Sequence, residues 1–235
     1  MARSNKQQNQ LKKEEQAHNE AVSTAVGKTE EFFQKNDKTI TWILIAVIVI
    51  VGGYFAYKYL VAQPRTEKAA SEMFVAEQLF GSEQWDAALN GDGNNAGFLE
   101  IVDNYGSTPQ GSLAAHYAGV SYLKMGDNAA ALKYLAKYRT AKGATAEIIN
   151  AQNYGLQADI YSAEGDNAKA VKFYRKAVEA SNNVLTAPYY LKKLGIVYET
   201  EGNNAEALKA YERIANEFFT SLEARDIQTY IGRLK

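Results

Sequence analysis

The chain holds two imidazoles, His18 and His116, and no cysteine. A zinc site needs three or four nitrogen, sulfur or carboxylate ligands at one point, and neither histidine has a thiol or a second imidazole near it in sequence. The missing cysteine also removes any disulfide, thiolate nucleophile or lipidated N-terminal cysteine. G-x-x-x-x-G-K-[ST], G-x-S-x-G and H-E-x-x-H are absent, so phosphate-cradling, acyl-transfer and zinc-hydrolase chemistry have no sequence footing. The Asp and Glu residues fall at turns and along polar helix faces, whereas a general acid and base would share one apolar pocket. These residues point away from an enzyme, with no catalytic residue, no metal ligand and no cofactor expected. An acidic pair assembled by the fold is what would revive an enzymatic reading.

With catalytic chemistry set aside, the elements themselves carry the information. The 235 residues are 46% apolar and 23% charged, enough to bury a sizeable core. Lys and Arg number 26 against 27 Asp and Glu, so there is no electrostatic drive toward nucleic acid.

The apolar residues are unevenly placed. From Thr39 to Tyr57 no charge interrupts the chain, and nine of those residues are Ile, Leu or Val. At about 1.5 Å per residue the stretch is roughly 28 Å long, close to the hydrocarbon thickness of a bilayer. At about 0.3–0.6 kcal/mol each, the nine aliphatic residues favour insertion by roughly 3–5 kcal/mol. Trp42 at one end and Tyr54, Tyr57 and Tyr59 at the other suit the interfacial belts. The segment begins far from residue 1 and Leu60-Val61-Ala62 is a poor cleavage site, so residues 39–60 read as an uncleaved transmembrane signal anchor rather than a signal peptide or a core helix. Close to the segment the basic residues tie, Lys28, Lys35 and Lys38 before it against Lys58, Arg65 and Lys68 after it, and the seven basic residues of the short stretch 1–39, set against a long downstream domain, break the tie and place the N-terminus in the cytosol. In a bacterium this makes the protein single-pass in the inner membrane, with residues 61–235 in the periplasm.

Residues 1–38 are rich in Gln, Asn, Lys and Glu and read as a mostly disordered cytosolic tail. Val22, Val26, Phe32 and Phe33 with Glu30, Glu31 and Lys35 fit either a short amphipathic helix at the lipid surface or a solvated linker.

Beyond the anchor three blocks align without gaps. Gly119, Tyr122, Gly126, Ala131, Leu135 and Tyr138 are spaced as Ala158, Tyr161, Gly165, Ala170, Tyr174 and Ala177, and again as Gly195, Tyr198, Gly202, Ala207, Tyr211 and Ile214. The blocks recur after 39 and then 37 residues. Each has a small residue where two helices can approach, a turn of Gly followed by Asp or Asn, then Ala and a large residue on a second helix. Gly ends the first helix and Asp or Asn caps the next. One such hairpin cannot bury its apolar face alone, but hairpins in series can.

This pattern resembles the tetratricopeptide repeat, whose usual period is about 34. The expected fold is all-α, a single N-terminal transmembrane helix followed by a tetratricopeptide-like α-solenoid. Its repeats lie near 112–145, 151–181 and 188–218. A degenerate first hairpin occupies 67–105, with Ala76, Leu79, Phe80, Trp85 and Ala88 on its apolar faces, followed by a loop at Gly91-Asp92-Gly93-Asn94-Asn95. A capping helix over 221–235 presents Leu222, Ala224, Ile227, Tyr230, Ile231 and Leu234 to the last hairpin. The resemblance implies that the first helices of the hairpins line a concave partner groove. Candidate groove residues are then Leu113, His116 and Val120, Gln152 and Asp159, and Tyr189, Lys192 and Ile196. His116, Val120, Gly155 and Asp159 do not supply the Lys/Arg/Asn cluster with which chaperone-binding members grip a peptide carboxylate. Gly52 and Ala56 are spaced for membrane-helix packing, and lipid-facing filler is the other reading of that pair.

The order of parts is more specific than any motif. Glu30-Glu31-Phe32-Phe33, then Asn36 and Lys38, an anchor closing in Gly53-Tyr54-Phe55-Ala56-Tyr57, and a repeat domain with Tyr105-Gly106-Ser107-Thr108 and Leu185-Thr186-Ala187-Pro188-Tyr189-Tyr190-Leu191 resemble the YfgM-type ancillary subunits of the SecYEG translocon. That resemblance implies a non-enzymatic inner-membrane adaptor in protein export. Its partners would be the Sec translocon, a membrane-anchored periplasmic chaperone of peptidyl-prolyl-isomerase-like type and exported polypeptides, with the lipid bilayer around the anchor. A repeat scaffold of another envelope machine, a secretion or cell-division complex, shares the same features.

Overall fold

The computed structural model describes residues 35–235. The readings made on the tail, including His18 and Val22 to Phe33, lie outside the described residues. Two compact units divide at Val61/Ala62.

The first unit contains α1, Asp37–Tyr57, the uncharged stretch with its acidic start. None of its residues is buried, although the helix is rich in Ile, Val and Leu. It is therefore not a core helix, and it is long and apolar enough to cross a membrane. Over Lys58–Ala62 the backbone widens into a π-helical turn. The physical cause is Pro64, which has no N–H to offer the carbonyl of Leu60 and whose ring crowds it.

The second unit is a series of helical hairpins. The first pairs α2 (Gln63–Gly81) with α3 (Trp85–Asn90). Next comes the single helix α4 (Phe98–Tyr105). Three further hairpins follow: α5 (Pro109–Lys124) with α6 (Asn128–Leu135), α7 (Ala144–Ala163) with α8 (Asn167–Ala180), and α9 (Ala187–Thr200) with α10 (Asn204–Glu217). A 3-10 turn at Glu223–Arg225 and the short α11 (Ile227–Gly232) close the chain. All described elements are helical, and the unit is a tetratricopeptide-like α-solenoid.

The turns form as their residues dictate. Gly126, Gly165 and Gly202 take φ of 84°, 79° and 72°, the left-handed region that a side chain resists. The next residue caps the following helix in each case: Asp127 accepts from Ala130 N, Asp166 from Lys169 N and Asn203 from Glu206 N. Past each turn the second helix lays a large residue on the small residue of the first. A Cβ built on Gly119 would lie 2.6 Å from Cγ of Leu135, and one on Gly195 would lie 2.2 Å from Cε1 of Tyr211. Ala158 and Tyr174 hold the same positions in the middle hairpin, both buried.

Two places depart from the expected outline, and the degenerate hairpin keeps to it. The second helix of the first full hairpin stops at Leu135, so Tyr138 and Arg139 sit in the loop that leads to α7. The cap is broken into a 3-10 turn and a short helix. Ile227 and Ile231 are buried on the last hairpin, whereas Leu222 points outward at 67% exposure, before a turn in which Ser221 Oγ accepts from Ala224 N. In the degenerate hairpin, Ala76 and Ala88 are buried and Phe80 anchors an aromatic cluster with Trp85, Phe98 and Tyr117 at centroid distances of 4.9–6.0 Å.

The contact between Gly195 and Tyr211 carries a direct test. Gly195→Ala forces a fully buried Tyr211 to move and is expected to cost about 1–3 kcal/mol. Gly232→Ala, where a Cβ meets nothing within 4 Å, should stay within about 0.5 kcal/mol of the parent. Chemical denaturation of the two variants side by side measures the difference.

Candidate functional site

The solenoid separates the candidate groove residues into two sets. His116 on α5 is 2% exposed, and its Nδ1 lies 3.2 Å from Nδ2 of Asn153 on α7. Gln157 donates in turn to Asn153 Oδ1 at 2.8 Å. This polar chain joins the first two full hairpins from inside, so His116 lies behind the surface a partner could touch. Desolvation holds its imidazole down at about 4, neutral at ordinary pH. Leu113 and Val120 are half-buried, and Gln152 is exposed.

Asp159 is engaged within the domain. It accepts from Lys193 Nζ at 2.7 Å and from the Tyr174 hydroxyl. Burial pulls the Lys193 ammonium down, but Asp159 and Tyr189 together outweigh it and leave the group raised. Glu199 and Arg233 pair at 2.6 Å, with Tyr211 donating to the same carboxylate. Lys192 pairs with Asp226 at 2.7 Å and lies 4.6 Å from the ring centroid of Tyr230. Each of these three ion pairs joins residues 34 apart, tying one first helix to the next or to the cap.

What stays open is at the C-terminal end. Tyr189, Lys192 and Ile196 come together on α9 and, with Leu222, Arg225 and Asp226, wall a cleft of about 520 Å³. Tyr189 is 44% exposed and Ile196 42%. Lys193 Nζ lies 4.6 Å from the Tyr189 ring centroid, a cation–π contact along one side of the ring. The cleft is apolar in its walls and charged at its rim, a surface suited to grip an aliphatic or aromatic side chain. Leu222 is the wall that sequence reasoning placed on the buried side of the cap.

Gly52 and Ala56 lie on α1, exposed, with nothing within 4 Å of where a Gly52 Cβ would be. Among the described residues no group of three or more His, Asp or Glu could hold a metal ion.

The tetratricopeptide repeat family pattern matches residues 151–184, the α7–α8 hairpin. No curated protein matches the chain. Among solved structures, a crystal structure of MamA protein is 16% identical, covers 72% of this chain and 88% of that one, and superposes with a TM-score of 0.50. A second MamA crystal structure is 15% identical over 68% of this chain and 90% of its own, with a TM-score of 0.47. The nearly identical TPR-like repeats of kinesin-light-chain type from Podosopora anserina are 15% identical over 72% and 85%, with a TM-score of 0.49. The likeness to the first of these is one of fold. A tetratricopeptide repeat is in general a protein-interaction scaffold rather than a catalyst, and residues 151–184 match its pattern.

The buried His116 sets a pH dependence. Its folded-state pKa is below the unfolded value, so the unfolded chain takes up the proton first and stability falls as pH drops from about 6.5 toward 4. The loss approaches about 3 kcal/mol at the lower end. Unfolding free energies measured across that window should slope in the parent and be flatter in His116→Gln, whose amide can still meet Asn153.

Proposed function

We propose that the chain is a non-enzymatic, single-span adaptor of the bacterial inner membrane, N-terminus in the cytosol and repeat domain in the periplasm. In this role it serves the Sec translocon as an ancillary subunit and brings a membrane-anchored periplasmic chaperone of peptidyl-prolyl-isomerase-like type to exported polypeptides. The observation that carries the membrane placement is α1, an apolar helix with no buried residue and no charge from Thr39 to Tyr57. A helix of that kind is unstable in water and stable in lipid. The seven Lys and Arg residues of the short stretch 1–39 support the orientation. The scaffold fold and the open cleft at α9 support the adaptor role, and the order of tail, anchor and repeats supports the translocon as its setting.

In this mechanism the anchor fixes the domain at the membrane and raises its effective concentration at the exit of the channel. The cleft then contributes a few buried side-chain contacts rather than net charge. Tyr189 and Leu222 are its anchors.

Crosslinking mass spectrometry of the tagged full-length protein in its native membrane tests the reading. Crosslinks from residues 63–235 to periplasmic loops of the translocon and to a periplasmic chaperone are expected. Crosslinks to ribosomal or cytosolic proteins reverse the topology and overturn it, and crosslinks to the subunits of a secretion or cell-division complex replace the translocon with that machine. Tyr189→Ala combined with Leu222→Ala should lower partner recovery about tenfold or more. Both side chains are exposed, so the unfolding midpoint should stay near that of the parent.

A further inference from the structure

We propose that the seam between the α5–α6 and α7–α8 hairpins is a second recognition site, one that takes a polypeptide segment carrying a large apolar side chain next to a carboxylate. The inference requires the domain to bind protein, as above, but neither the membrane placement nor the cleft at α9.

The packing of this seam differs from the others. One apolar cluster runs from Ala69 to Ala118 and another from Ala151 to Ile231, with the small group Ala131, Leu135 and Ile160 between them. Beside that small group the seam is closed by polar contacts, His116 with Asn153 and Tyr138 with Asn150, while Ser112 holds Arg139 in the loop that leads to α7. Polar contacts fix geometry at a distance and fill little volume. Where α5 and α7 begin, a cavity of about 430 Å³ stays open, walled by Pro109, Leu113, Tyr138, Ala141, Ala146 and Ile149. That volume suits one large side chain and its flanking backbone.

The walls are held before any occupant arrives. Asn150 accepts from the Tyr138 hydroxyl at 2.7 Å and grips both backbone groups of Ala141, at 3.1 and 2.8 Å. Ser112 Oγ accepts from Arg139 N at 2.8 Å and returns a bond to its carbonyl at 3.3 Å. A loop pinned from two helices costs little further ordering on binding.

Charge and hydrogen bonding specify the occupant. Arg139 is the one charged residue of the lining. It donates to the Thr108 carbonyl at 3.1 Å, and among the described residues no carboxylate pairs with it. A guanidinium with free donors beside an apolar cavity is matched by a carboxylate beside an apolar group. Gln110 lines the same cavity, and its Oε1 is the buried side-chain atom without a hydrogen-bond partner among the described residues. Its terminal amide torsion is soft, so the oxygen can turn to an incoming N–H. A peptide backbone supplies that N–H, whereas a fatty acid has none, and this favours a polypeptide over an anionic lipid.

The test uses the full-length protein in detergent with two short Gly/Ser peptides, one with a central Leu-Glu pair and one with Leu-Gln, each fluorescently labelled and also made with a photo-reactive leucine. The Leu-Glu peptide should bind about tenfold more tightly by anisotropy and crosslink to the segments around Leu113 and Ile149. Arg139→Gln, at an exposed side chain, should erase the difference between the peptides, and Ala146→Phe should block both. A rim variant, Thr145→Trp, gives the same block if Ala146→Phe fails to fold. Equal binding of the two peptides, crosslinks elsewhere, or no binding overturns the proposal. Oleate that displaces nothing is expected, and oleate that binds in an Arg139-dependent way while the peptides do not reassigns the cavity to lipid. None of these outcomes depends on translocon or chaperone recovery, so failure here is separable from failure of the adaptor reading.

Discussion

The close approach of a small residue on one helix to a large residue on the next is the contact from which the repeat domain is built. Gly119 receives Leu135 and Gly195 receives Tyr211, in each case at a distance that leaves no room for a Cβ. Because the interior is close-packed, that approach sets the spacing of the two helices and with it the angle at which the hairpin presents its outer faces. The turns at Gly126, Gly165 and Gly202 serve the same contact, since a left-handed residue followed by a capping Asp or Asn brings the second helix back within reach. The hairpins then stack because none can bury its remaining apolar surface alone.

How they stack divides the domain's surface into spent and available parts. Toward the C-terminus the seams are apolar inside and tied by ion pairs at the edge, Asp159 with Lys193, Lys192 with Asp226 and Glu199 with Arg233. Such partly exposed pairs contribute modestly to stability, but they fix register and occupy side chains that would otherwise meet a ligand. Tyr189, Ile196 and Leu222 escape this use and remain at the surface. Toward the N-terminus the seam between α5–α6 and α7–α8 closes partly on polar contacts, His116 with Asn153 and Asn150 with Tyr138 and the Ala141 backbone, and volume is left unfilled beside them. Both cavities have apolar walls, but Arg139 is the single charge lining the one at this seam, whereas the cleft at α9 is rimmed by charges of both signs.

The logic of α1 is separate from this packing. In α1 the backbone satisfies its own hydrogen bonds and the side chains from Thr39 to Tyr57 carry no charge, so the helix needs no tertiary partner to be stable in lipid. A repeat domain needs every neighbouring hairpin. The chain therefore joins an element whose environment is a solvent property to one whose stability is a packing property.

That difference explains what is legible in the sequence. The apolar stretch is a matter of local composition, and it was legible. So were the hairpins, because a small residue followed sixteen positions later by a large one, with Gly and Asp or Asn between, is a pattern contained within one hairpin. The aromatic and alanine positions of the degenerate first hairpin were legible for the same reason. The fate of the helix faces was not. Whether His116 faces a partner or Asn153, whether Asp159 is free or held by Lys193, and whether Leu222 caps the core or walls a cleft all depend on the rotation between successive hairpins. That rotation is decided by contacts between residues some 34 to 37 positions apart, where no local periodicity reaches. The sequence by itself determined the small-to-large hairpins, their glycine turns and the helix suited to a membrane, because each is written within one local stretch; only the tertiary structure decided where α6 and the cap break, which side chains the seams consume and which are left to bind, because those follow from contacts between hairpins.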